Sequence, residues 1–344
     1  MDKKIVTVLE GNIVNPPPVW MMRQAGRHLP EYLEVRATTK NFIDFCLTPE
    51  KAAKVTLQPI DRYDMDGAIL FADILLVPLA LGRNVTFKKG IGPILDPLTI
   101  SNISELDPVD TFKKLDPVYE TVERVRRSLS ENKTLIGFCG GPWTVATYMI
   151  EGRGSPAKEM AKRFAYNNPR EMTDLLDILA SVSADYLIAQ ARAGADVLKI
   201  FESWAEGLSP PMFEKLVLQP TRAIISQVRN AGVKVPIIGF PRGAGFNILP
   251  YVDMTGITAI AAGTDVPMKE LRKKIPAKMA IQGNLDPLAL RIGGTTLRLA
   301  VQSVLDDISG PHIFNLGHGV SPDVKIDNVH AVINHIRTGE GQYV

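Results

Sequence analysis

Short apolar runs alternate with stretches of helical periodicity along the whole chain, and this alternation limits the available folds more than any other feature. Residues 68–71, 134–138, 197–201, 235–240, 258–262, 279–282 and 313–316 are too brief for helices and rich in Val, Ile and Phe. That is the pattern of parallel strands buried on both faces. Residues 19–22 are an eighth such run. Between the runs, Val118, Val122, Val125 and Leu129 share one helical face, as do Met172, Leu175, Leu176, Leu179 and Val182. Thr48-Pro49, Asp116-Pro117, Ser155-Pro156, Ser209-Pro210, Asp286-Pro287 and Ser321-Pro322 read as helix starts, a capping residue before a proline whose missing N–H costs nothing there. Gly194 and Gly232 fall where helices end.

Eight strands alternating with helices predict an α/β fold, a single-domain (β/α)8 TIM-type barrel over residues 1–344 with its active site at the C-terminal rim of the strands. A doubly wound sheet shares the alternation. Residues 84–98, with Gly90, Gly92 and Pro93, read as a small extended excursion. A net charge of +2 argues against nucleic acid as a partner, so any anion site must come from local clustering of arginines. Cys46 and Cys139 are too far apart in sequence for a CxxC pair and too few for a disulfide framework. Glu10 and Asn12 interrupt the first apolar run before a secretory core forms, and no run reaches the ~20 residues of a membrane span. The expectation is a cytoplasmic protein without a membrane partner.

The residues that follow the runs carry the chemistry. Pro18-Val19-Trp20-Met21-Met22-Arg23-Gln24-Ala25-Gly26-Arg27 ends an apolar anchor in two guanidinium groups, planar forks suited to carboxylate or phosphate. Asp73 follows the second run, Gly140-Gly141-Pro142-Trp143 the third, and Glu202 and Ser203 the fourth. Pro241-Arg242-Gly243, Asp265, Asn284 with Asp286, and His318 follow the remaining four. In a barrel these positions converge on one rim. Asp73 sits among large apolar residues and needs a cation or N–H donors if buried. Plainer readings stay open: a surface turn for the arginines, a cap or ion pair for Asp73, core lining for Tyr148, a helix cap for Ser203 and a packed residue for His318. Gly243-Ala244-Gly245 lacks the third glycine of a dinucleotide turn, and neither a phosphate loop nor HExxH spacing occurs. Nothing like a nucleophile elbow surrounds Ser203.

The 18–27 segment resembles the first signature of the uroporphyrinogen decarboxylase family, and Gly137-Phe138-Cys139-Gly140-Gly141-Pro142-Trp143-Thr144-Val145-Ala146-Thr147-Tyr148 resembles the second. Phe71-Ala72-Asp73-Ile74-Leu75, Phe201-Glu202-Ser203-Trp204, Phe240-Pro241-Arg242-Gly243-Ala244-Gly245, Gln282-Gly283-Asn284-Leu285-Asp286-Pro287 and Asn315-Leu316-Gly317-His318-Gly319 are similar to family segments in the same order. The resemblance implies a cofactor-free, homodimeric barrel of the cytoplasm. Its reaction converts the four acetate side chains of uroporphyrinogen III to methyls, giving coproporphyrinogen III in haem biosynthesis. Carried over residue by residue, Arg23, Gln24, Arg27, Arg36, Asp73, Tyr148, Ser203 and His318 become substrate-binding positions, with Asp73, Arg23, Tyr148 and His318 the catalytic ones; no metal is implied. One departure stands at Val266, where the family usually shows tryptophan after a retained Asp265.

These residue types suit that chemistry. Arginine forks match an octacarboxylate, and one central carboxylate accepts from several pyrrole N–H groups while stabilising a protonated, cationic ring. Arginine is a reluctant proton donor, and His318 has the more suitable intrinsic pKa. A zinc-dependent corrinoid or thiol methyltransferase on a related barrel is one rival, although His318-Gly319-Val320 offers no cysteine ligand. A non-catalytic tetrapyrrole carrier is the other; it needs the arginines but not Asp73.

Overall fold

A computed structural model describes residues 2–88, 90–339 and 341; the two ends of the expected 1–344 domain, at Met1 and 342–344, lie outside the described residues. Its strands are β1 (Gly67–Ile69), β2 (Val85–Lys88), β3 (Gly92–Leu95), β4 (Thr134–Gly140), β5 (Val197–Glu202), β6 (Ile237–Pro241), β7 (Ala259–Ala261), β8 (Ala280–Leu285) and β9 (His312–Leu316). Seven of these form one parallel sheet in the order β1-β4-β5-β6-β7-β8-β9. The register runs Gly67↔Thr134, Ile136↔Val197, Leu198↔Ile237, Ile238↔Ala259, Ala259↔Ala280 and Ile281↔His312. All residues of β4, β6, β8 and β9 are buried, the polar Gln282, Asn284, His312 and Asn315 included, as in a sheet covered on both faces.

The eighth expected strand, residues 19–22, does not form, and the fold is a curled seven-stranded parallel sheet. Val19 makes one parallel bridge, to Phe314 of β9. The Phe314 N–H donates to the Pro18 carbonyl (2.9 Å) and the Trp20 N–H to the Phe314 carbonyl (3.3 Å). On the other side the Asp66 N–H, next to β1, donates to the Val19 carbonyl (2.8 Å). Residues 18–20 therefore hydrogen-bond to both edges of the sheet along a seam one residue deep. Pro16, Pro17 and Pro18 bring no N–H to a ladder. Beyond Trp20 the chain turns: the Met21 N–H donates to Gln24 Oε1 (3.0 Å). Arg23 adopts a left-handed backbone, φ 62°.

Helices cover the outside of the sheet. The apolar faces foreseen on Asp116–Ser128 and Pro169–Arg192 are the buried ones. Pro49, Pro117, Pro169 and Pro287 each stand at the first or second position of their helices, and Asp286 caps the last of these by accepting from the Leu288 N–H. Gly194 (φ 117°) and Gly232 (φ 80°) end the helices before them. Two starts fall later than expected. After Ser155-Pro156 the helix begins at Glu159, behind a left-handed Lys158, and after Ser321-Pro322 it begins at Ile326. The expected excursion at 84–98 is the β2–β3 hairpin, Val85↔Leu95 to Lys88↔Gly92. The Leu95 and Leu98 N–H groups donate to the Gly152 and Met149 carbonyls (2.8 and 2.7 Å), tying the hairpin to helix Pro142–Glu151.

Candidate active site

Apart from Arg27 and Arg36, the predicted site residues lie at the seam or beyond the C-terminal end of a strand. Asp73 follows β1, and Tyr148 stands on the helix that follows β4. Ser203 follows β5, and His318 follows β9 beside the seam that carries Arg23. Asp73 Oδ1 accepts from the Leu75 N–H (2.9 Å), and Asp73 forms no ion pair among the described residues. Burial pushes its carboxyl up to about 6, against the opposing pulls of that N–H and of the Arg23 charge. The Arg23 side chain passes over Gly319, where any side chain would collide with it. The Arg23 charge also bears on His318 and Tyr148, so one guanidinium stands among the acid, the imidazole and the phenol.

Two glycines frame His318. A side chain at Gly317 would strike Thr264, so the loops after β7 and β9 are in close contact. Burial holds the His318 imidazole down at about 4, with Arg23 and Arg242 adding to the shift and Glu206 opposing it. At neutral pH the site thus holds a neutral imidazole beside a carboxylate whose pKa is the higher of the two. Tyr148 is half-buried and meets Trp204 edge-on, ring centroids 5.6 Å apart. Burial raises its hydroxyl pKa, with the Trp204 side chain opposing.

The remaining arginines stand on the Asp73 side. Arg27 is exposed, and its charge acts on Tyr32, whose ring meets Phe71 at 5.7 Å, two residues before Asp73. Arg36 is half-buried, lies 5.8 Å from the Phe42 ring and, with Arg27, opposes the upward shift that burial gives the Tyr32 hydroxyl. Arg23, Arg27 and Arg36 form no ion pair among the described residues, whereas Arg62, Arg126 and Arg337 each hold a carboxylate. Gln24 behaves differently from the other candidates. It is fully buried, its Nε2 donating to the Gly67 carbonyl (2.9 Å) and its Oε1 accepting from Met21 N–H (3.0 Å), so its side chain holds the turn against β1. At Val266, where the resemblance led to tryptophan, Asn284 Nδ2 donates to the Val266 and Gly263 carbonyls (both 2.8 Å) and holds the turn. No three His, Cys, Asp or Glu side chains are gathered for a metal among the described residues.

Two buried polar residues support this layer: Glu202, which follows the fourth run, and Lys199, which no motif singles out. Glu202 Oε1 accepts from the Thr144 N–H (2.7 Å) and hydroxyl, joining the end of β5 to the helix of Tyr148. Burial raises its carboxyl to about 8 against those bonds. Lys199 is fully buried beneath this layer, its Nζ 5.0 to 5.2 Å from the Trp20, Phe201 and Phe240 rings. A lysine inside an otherwise apolar run is the visible signal for it.

A curled parallel sheet with helices outside it, and a half-buried carboxylate and a neutral imidazole in the loops beyond its strand ends, is the layout of a TIM-like α/β enzyme. The family profile described as uroporphyrinogen decarboxylase matches residues 1–339. A uroporphyrinogen decarboxylase of Maricaulis maris is 52% identical over 336 residues, 97% of each chain. One of Chelativorans sp. is 48% identical over 339 residues, 98% of this chain and 99% of that protein. A methyltransferase from Methanosarcina mazei has the same fold, TM-score 0.81 with coverage of 98% and 99%, at only 19% identity. The chain belongs to the uroporphyrinogen decarboxylase family, and its reaction class is that of a carboxy-lyase.

Proposed function

We propose that the chain decarboxylates the four acetates of uroporphyrinogen III to methyls, giving coproporphyrinogen III, by chemistry that uses the substrate's own pyrroles as electron sink. At each acetate a ring carbon is protonated, and the resulting cation accepts the electron pair of the breaking C–COO⁻ bond. Carbon dioxide leaves, the exocyclic methylene takes a second proton, and the ring carbon gives up the first. One proton is consumed for each carbon dioxide released. Asp73 accepts from the pyrrole N–H groups and stabilises the cation, a contribution worth several kcal/mol in a site shielded from water.

Arg23, Arg27 and Arg36 bind substrate carboxylates, and their freedom from protein ion pairs supports this role. His318, neutral at pH 7, and the Tyr148 and Ser203 hydroxyls position the macrocycle by hydrogen bonds. Gln24 contributes by fixing the turn that aims Arg23. The observation that carries the reading is the family match over residues 1–339, with Asp73 close enough to feel the Arg23 charge. The chain acts as one domain, a barrel whose eighth position is filled by residues 18–20; their hydrogen bonds to both sheet edges support this. It works in the cytoplasm as a homodimer, as family membership suggests; no helix among the described residues is long and apolar enough to cross a membrane.

Anaerobic incubation with uroporphyrinogen III, followed by oxidation and chromatography, tests the activity. Porphyrins with seven down to four carboxylates are expected. Unchanged eight-carboxylate porphyrin would contradict the decarboxylase and favour a carrier.

A further inference from the structure

Arg242 follows β6 immediately, and counted round the sheet through residues 18–20 it stands four positions from Arg23 in either direction. The Arg242 charge nevertheless bears on His318 and Tyr148, the same two groups that Arg23 reaches. Two guanidinium groups thus approach the centre of the rim from opposite sides. Arg242 is held from behind by one hydrogen bond and a looser ion pair. Its Nε donates to the Ser203 carbonyl (3.0 Å), and its Nη2 lies 3.7 Å from Glu206 Oε2.

Glu206 is fixed in turn by Lys158. The Lys158 side chain is 1% exposed; its Nζ donates to Glu206 Oε1 (2.7 Å) and to the Pro156 carbonyl (2.9 Å) and lies 5.0 Å from the Trp204 ring. Lys158 also has a left-handed backbone, φ 52°, a conformation a long side chain keeps only where its surroundings hold it. Gly243 (φ 72°) permits the approach, since a Cβ there would lie 2.7 Å from Glu206 Cβ. A buried lysine thus neutralises a carboxylate that would repel a polyanion, and that carboxylate orients an arginine. The Arg242 Nη1 pairs with no protein atom among the described residues and is left for a ligand.

We propose that Arg242 is a further carboxylate-binding residue, gripping the macrocycle on the side opposite Arg23, and that Glu206 and Lys158 are its positioning residues. The proposal rests on the porphyrinogen substrate proposed above, since a macrocycle with carboxylates around its edge is what two opposed arginine forks fit. Steady-state turnover of uroporphyrinogen III by the full chain tests it. Arg242→Gln is expected to raise KM about tenfold with kcat within about threefold, the signature of lost uniform binding, and Arg242→Lys to recover part of that loss.

Glu206→Gln should raise KM about threefold, yet have almost no effect when added to Arg242→Gln, as a residue acting through Arg242 must. An unchanged KM in Arg242→Gln, or a Glu206→Gln effect that persists without Arg242, would overturn the proposal. Should Arg242→Gln fail to fold, Arg242→Lys decides: a raised KM at an unchanged melting temperature supports the role, and an unchanged KM refutes it. Failure of the parent protein to release carbon dioxide would instead contradict the decarboxylase reading itself.

Discussion

At Asp73, burial and the Arg23 charge pull in opposite directions, and burial prevails. A carboxyl at about 6 beside an imidazole at about 4 inverts the usual order of the two groups. If the Asp73 carboxylate is the working form, kcat/KM has an acid limb near pH 6, well above that of an unperturbed aspartate. Arg23 lowers the Asp73 pKa, so Arg23→Gln should move that limb to higher pH as well as raise KM; pH profiles of the two proteins check both. His318 contributes no limb above pH 5, since it is already neutral there. Tyr148→Phe keeps the ring against Trp204 and removes one hydroxyl, so turnover should fall about five- to tenfold, in line with one hydrogen bond of about 1 kcal/mol.

Among the elements, the junction of β5 with helix Pro142–Glu151 shows how strand ends hold the site. Glu202 receives the Thr144 N–H and hydroxyl, the Trp204 N–H donates back to Thr144 Oγ1 (3.1 Å), and the Trp143 indole N–H donates to the Trp204 carbonyl (3.0 Å). Glu202 is raised to about 8 in the folded protein, so folding favours its protonated form. That stabilisation is complete below the unfolded carboxyl pKa and is lost as pH rises through about 8. Glu202→Gln mimics the neutral form, so its melting temperature relative to the parent should rise steadily between pH 5 and 8. A difference that does not vary with pH would show Glu202 to be ionised in the fold.

Elements of this kind were legible in the sequence where local chemistry decides them. Proline at the start of Pro49–Tyr63 and Pro169–Arg192, Gly194 and Gly232 after helices, and unbroken apolar strands are all signals a few residues long. Residues 19–22 have strand composition, but three prolines before them and the Gln24 hydrogen bond after them leave only one bridged residue. Lys158 is a similar case: a buried ion pair with a residue 48 positions away sets its backbone, and no neighbouring residue announces it.

Across the whole molecule, a net charge of +2 hides a rim at which Arg23, Arg27 and Arg36 remain unpaired and Arg242 is only partly engaged. Arg23, Asp73 and His318 could be read from the chain because they follow apolar runs, Arg36 only through the family resemblance, and the strand order then determines which strand-end residues share a side. Gln24 could not be distinguished from its neighbours in that way, since its inward orientation depends on the Gly67 carbonyl 43 residues on. Nor could the Lys158–Glu206–Arg242 chain, which joins three separate loops. The central claim is that one carboxylate, Asp73, stabilises a pyrrole-derived cation during decarboxylation. Anaerobic single-turnover assays of the parent and of Asp73→Asn with uroporphyrinogen III, on protein shown by thermal melting to be folded, test it most directly. The variant should lose at least about a hundredfold in rate, the scale of a removed transition-state charge contact. Turnover by folded Asp73→Asn at the parent rate would contradict it.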